Sequence, residues 1–130
     1  MDIGQPTATT IVAEDTAGTA ALLFGLIWES LIDVLGSAAT ATLLRRSVKR
    51  VIQHGGDLNG LLITQTGFEY RYSLPASWQE PRSEPIAAVR ALAQELTPLL
   101  AQMTGGVVIR RLNSIPELQR CNVVLGENVR

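Results

Sequence analysis

Between Thr16 and Leu44 the chain is crowded with apolar and small residues and carries only two charges, Glu29 and Asp33. Four cations then arrive together, Arg45, Arg46, Lys49 and Arg50. A run so poor in charge has to be buried, since apolar surface left in water costs roughly 25 cal/mol per Å². The stretch therefore constrains architecture before chemistry. It must supply helices that lie at the centre of a domain or at an interface.

The spacing bears this out. Asp15 or Thr16 offers a side-chain oxygen to cap a helix. Ala20, Leu23, Phe24, Ile27, Leu31 and Val34 then recur at three- and four-residue intervals, the signature of one apolar helix face. Leu22, Leu26 and Ile32 widen that face until the helix is apolar nearly all round, as in a central or interfacial helix. Gly36 and Ser37 mark a break, with Ser37 as a new N-cap. A second helix, about Ala38 to Gln53, turns Ala41, Leu44, Val48, Val51 and Ile52 inward. Its small residues Ala38, Ala39, Ala41 and Thr42 allow another helix to approach closely. His54-Gly55-Gly56 closes it, because glycine accepts the left-handed conformation of a helix end. One long helix bent at Gly36 fits the same residues.

Residues 1–14 hold Gly4, Pro6 and several threonines and read as an irregular arm with a short strand around Thr10–Val12. Residues 15–130 then form one domain, since 130 residues suffice for a real hydrophobic core. Past the turn Asp57-Leu58-Asn59-Gly60 the period changes from helical to alternating. Leu61–Thr66 and Phe68–Leu74 read as strands joined tightly around Thr66-Gly67. In the second, Phe68, Tyr70, Tyr72 and Leu74 share one side while Glu69, Arg71 and Ser73 share the other. Three prolines around Trp78 make residues 75–85 irregular. A third helix carries Ile86, Val89, Leu92, Leu96, Leu99 and Met103 on one face, with Pro98 kinking it or starting a second piece. Thr104-Gly105-Gly106 stops it. Val107–Leu112 fits a strand or a helix, Ser114-Ile115-Pro116-Glu117 starts a helix, and Val123–Leu125 fits a terminal strand.

The expected fold is thus α+β: two N-terminal helices, an antiparallel hairpin, a third helix packed on the sheet and a short closing strand or helix.

Composition narrows the function. A net charge of −1 gives no general attraction to nucleic acid or anionic membranes. The single cysteine, Cys121, excludes an internal disulfide and a thiol-rich metal site. The first residues lack a positive n-region, and Glu29 and Asp33 interrupt the apolar run before the roughly 20 residues a membrane crossing needs. These features point to a soluble cytoplasmic chain without a membrane span. An apolar fraction of 46% against 18% charged exceeds what one small core hides, which points to self-association, a homodimer foremost.

Each chemical candidate has a plainer counterpart. Arg45 with Lys49, and Arg46 with Arg50, form neighbouring i, i+4 pairs and a positive strip able to grip an acidic partner. Cations also suit the end of any helix. No aromatics interleave with them, which argues against nucleic acid. Glu29 and Asp33 lie one turn apart, but further metal ligands are missing and pairing with Arg90 or Arg110 is the simpler reading. His54 is first a helix-end residue. Cys121 shows no base or orienting group. Neither Gly55-Gly56 nor Gly105-Gly106 stands between a strand and a helix, as phosphate loops do. No metal or cofactor is expected.

Two functions follow from these residues. The first is a regulatory or protein-interaction domain in which Leu23, Ile27 and Leu31 drive self-association and the four cations receive an acidic partner. The second is a carrier or sensor with an apolar pocket lined by Phe24, Trp28, Phe68, Tyr70 and Tyr72. An enzyme would need Glu29, Asp33, His54 and the tyrosine hydroxyls to converge.

Overall fold

A single glycine, Gly36, divides the apolar stretch into α1 (Gly4–Leu35) and α2 (Ser37–Gln53). The structure, a computed structural model, describes residues 4–126, with side chains described from Ala17 onward. Gly36 adopts φ 84°, a left-handed conformation that a residue with a Cβ resists. Its N–H donates to the Ile32 carbonyl at 2.9 Å, and its own carbonyl accepts from Thr40 N at 3.1 Å. One residue therefore ends one helix and starts the next. Ser37 is already helical, so it is not the cap.

The backbone of α1 begins at Gly4. Helix replaces the irregular arm expected over residues 4–14, the short strand around Thr10–Val12 and the cap at Asp15 or Thr16. Pro6 is tolerated because first-turn N–H groups have no helical partner, and Ala8, Ala13 and Glu14 favour helix. Residues 1–3 lie outside the described residues.

By length and composition Ala17–Leu35, 19 residues of mean hydropathy 1.6, is sufficient for a membrane crossing, despite Glu29 and Asp33. Yet Leu23, Phe24, Ile27 and Leu31 are fully buried within the chain. Core helices meet the same criterion, so among the described residues there is no clear membrane span.

At the far end of α2 the chain reverses at His54-Gly55-Gly56 as the glycines predict. Gly56 N donates to Val51 O at 2.8 Å and Gly55 N to Ile52 O at 3.0 Å, with Gly55 at φ 87°. That pair of bonds satisfies carbonyls a helix end leaves open.

Strands β1 (Leu62–Thr66) and β2 (Glu69–Ser73) form an antiparallel hairpin with Thr66 opposite Glu69. The loop is Gly67-Phe68, one residue later than expected. Phe68 is consequently at the tip and 99% exposed, so it leaves the aromatic face it was assigned to. Tyr70, Tyr72 and Leu74 remain half-buried on one side, with Glu69, Arg71 and Ser73 exposed.

Helices pack on this hairpin. α2 runs alongside both strands, and α1 sets Phe24 and Trp28 against the Tyr72 ring, with centroids 4.6 and 5.0 Å apart. α3 (Pro85–Thr104) lies against α1 and α2 and buries Leu92, Leu96 and Leu100. It is continuous through Pro98, whose ring is on the exposed side. Between hairpin and α3, a 3-10 turn (Ala76–Gln79) buries Trp78, whose indole N–H donates to the Asp57 carbonyl at 3.2 Å.

The closing pieces are the helices α4 (Val107–Asn113) and α5 (Pro116–Arg120). Val123–Leu125 is no strand. Asn113 instead clamps Leu125 from both sides, accepting its N–H at 2.8 Å and donating to its carbonyl at 2.9 Å. A side-chain amide thus does what a neighbouring strand would have done.

Candidate functional site

α2 is strongly two-faced. Ala41, Leu43, Leu44, Val48 and Val51 are buried, while Arg45, Arg46, Lys49 and Arg50 face outward. The four cations do not act as one strip. The two i, i+4 rows diverge around the helix.

Arg45 and Lys49 border a groove of about 470 Å³ between α2 and β1. Its remaining lining among the described residues is Val48, Ile52, Gln53, Leu61, Leu62 and Ile63, an apolar floor with two cations on the rim and no acid. Leu62 is 58% exposed there. Arg45 Nη2 donates to the Ile63 carbonyl at 2.8 Å. Lys49 makes no hydrogen bond or ion pair among the described residues.

Arg46 and Arg50 lean the other way, towards α3. Arg46 borders a second groove, about 420 Å³, lined by Ala38, Ala39, Thr42, Leu43, Leu99, Gln102 and Met103. The small residues that invite close approach thus include three that remain on an open surface. Ala41 does not, being buried. Arg50 Nε bonds Glu95 Oε1 at 2.9 Å and His54 Nδ1 lies 2.9 Å from Oε2. Burial pushes the Glu95 carboxyl up, but the bonds from Arg50 and His54, with their charges, outweigh it and hold the group below its ordinary range. Sequence reading missed Glu95. Only its position on the polar side of α3 hints at a role.

Leu23, Ile27 and Leu31 are fully buried within the chain. The association surface assigned to them is therefore the domain's own core, because the α1 face they define packs against its neighbouring helices. Outward on α1 are Leu22, 52% exposed, and Val34, 42% exposed.

Phe24, Trp28 and Tyr72 do come together, as packed rings. Burial, and secondarily the charge of Glu29, push the Tyr72 phenol up. Tyr70 is half-buried against the core and Phe68 stands apart.

Asp33 and His54, two of the groups an enzyme would need, are far apart. Asp33 Oδ2 pairs with Arg111 Nη2 at 3.5 Å, near the start of α2, rather than with Arg90 or Arg110. His54 is at the other end of that helix, roughly 25 Å away at 1.5 Å per residue. Arg90 donates twice to the Cys121 carbonyl, at 3.0 and 2.9 Å. The hollow by Gly55-Gly56 includes Asp57 and Glu84, the wrong sign for phosphate. Among the described residues no three His, Cys, Asp or Glu side chains gather as metal ligands would.

The chain matches no known family, no characterised protein and no solved structure. The site has to be interpreted from its own chemistry.

Proposed function

We propose that this chain is a protein-interaction domain that receives an acidic partner on the outward face of α2. One observation carries the reading: the groove beside β1 has an apolar floor, Arg45 and Lys49 on its rim and no acid in its lining among the described residues. Apolar contact would supply affinity there, and the cations would steer and orient the partner. The α2–α3 groove and the outward residues Leu22 and Val34 are the surfaces left for self-association, in place of Leu23, Ile27 and Leu31.

A fluorescent peptide of alternating valine and glutamate tests the reading by anisotropy. The expected result is binding that weakens with added salt, falls about tenfold in Lys49→Glu and is unchanged in Arg46→Glu, which faces the other groove. Equal binding of the lysine-for-glutamate peptide would contradict it.

The carrier reading keeps one supporting observation, the Phe24–Trp28–Tyr72 cluster between α1 and the hairpin. The rings fill that space themselves, so a guest there would have to part them. The interaction reading needs no such rearrangement.

A further inference from the structure

We propose that the acidic partner binds as an extended segment, added as a third strand along the open edge of β1; this rests on the interaction reading above. Among the described residues the hairpin is a two-stranded sheet, so β1 has one paired edge and one unpaired. Its register decides which groups are unpaired. In a hairpin with a two-residue loop the flanking pair, here Thr66 and Glu69, is hydrogen-bonded, and bonding alternates along the strand. Leu62, Thr64 and Thr66 therefore bond towards β2, while Ile63 and Gln65 direct N–H and C=O outward.

The bond from Arg45 agrees with that assignment, since it ends on the Ile63 carbonyl. The guanidinium occupies the place where a neighbouring strand would put an N–H. An added strand would take over this bond and release Arg45 towards the partner's carboxylate, so one polar contact is exchanged for two.

β1, Leu-Ile-Thr-Gln-Thr, carries none of the proline or charge that commonly protects an edge strand from pairing. The groove continues the same edge: Ile63, Leu62 and Leu61 are on one wall, and Val48 and Ile52 on the other. Its volume of about 470 Å³ falls in the usual range for a bound ligand, roughly 300–1,000 Å³. A strand laid there would turn one row of side chains towards the α2 stripe of Arg45, Lys49 and Ile52, where acidic groups meet the two cations, and the other, apolar row to the opposite side with the exposed Leu62. A helix could fill the groove but could not use the backbone groups of Ile63 and Gln65, which is why the extended form is favoured.

Backbone methylation distinguishes strand addition from charge attraction alone. Three fluorescent valine–glutamate peptides of about eight residues are titrated into the full chain and into Lys49→Glu, whose melting curve checks its folding. One peptide is unmodified, one is N-methylated at every valine and one at every glutamate. Only alternate N–H groups of an added strand face β1, so one methylated peptide should lose about tenfold or more and the other should stay within about threefold of the parent. Loss in both or in neither, with binding still sensitive to Lys49→Glu, overturns strand addition while the acidic-partner reading stands. Absence of binding by all three peptides, or binding indifferent to Lys49→Glu, overturns both.

Discussion

Arg50 and Glu95 join the last turn of α2 to the middle of α3 through a bond of 2.9 Å, and His54 takes the second oxygen of the same carboxylate. The pair is 45 residues apart in sequence. Its acid is mostly covered, with 19% of the side chain exposed, while Arg50 is half-exposed. Two donors on one carboxylate favour its ionised form, and folding is thereby coupled to pH.

Glu95 titrates lower in the folded chain than an ordinary glutamate. Its contribution is therefore fully present above the ordinary value and is lost as pH falls through the lowered folded value. Glu95→Gln should melt a few degrees below the wild type at pH 7, a cost of about 1 kcal/mol or less because both donors, Arg50 and His54, are largely open to solvent. The difference should close in acid, where the wild-type carboxyl is also neutral. A gap that stays constant across pH would contradict the coupling.

Ile27 is fully buried, whereas Leu22 on the same helix is 52% exposed. Ile27→Asp should abolish cooperative unfolding, because an unpaired charge cannot be accommodated there, and Ile27→Val should cost about 1 kcal/mol. Leu22→Asp should fold normally and, if α1 serves self-association, shift the mass measured by light scattering towards the monomer. A folded, soluble Ile27→Asp protein would contradict the core assignment.

Gly25 faces the Tyr72 hydroxyl so closely that a Cβ there would be 3.3 Å from the oxygen. Alanine favours helix over glycine by about 1 kcal/mol, and the tight contact offsets that gain. Gly25→Ala should therefore be near neutral in the wild type and stabilising by up to about 1 kcal/mol in a Tyr72→Phe background. Urea denaturation of the four proteins measures the coupling; simple additivity would show that the hydroxyl does not limit the site.

Much of this fold was legible in sequence, and the misses have definite causes. The break at Gly36, the reversal at Gly55-Gly56 and the α5 start at Pro116 are backbone chemistry, which single residues dictate. Phe68 differs from the expected strand position because alternation alone cannot distinguish the last loop residue from the first strand residue. Val107–Leu112 permits two periods, and the helical one sets Val108 and Leu112 together in the core. The terminal segment has the local pattern of a strand, but the partner of Leu125 is the side chain of Asn113, invisible to any local pattern. At the site, the cationic cluster was legible, but its division was not. Ile63 and Glu95 become neighbours of Arg45 and Arg50 only when the chain closes.

The most direct test of the interaction reading is an amide chemical-shift map of the chain titrated with the acidic valine–glutamate peptide. The account predicts that shifts centre on Lys49, Ile52, Leu62, Ile63 and Gln65. Shifts centred on Ala38, Thr42 and Met103, or on the outward face of α1, would contradict it.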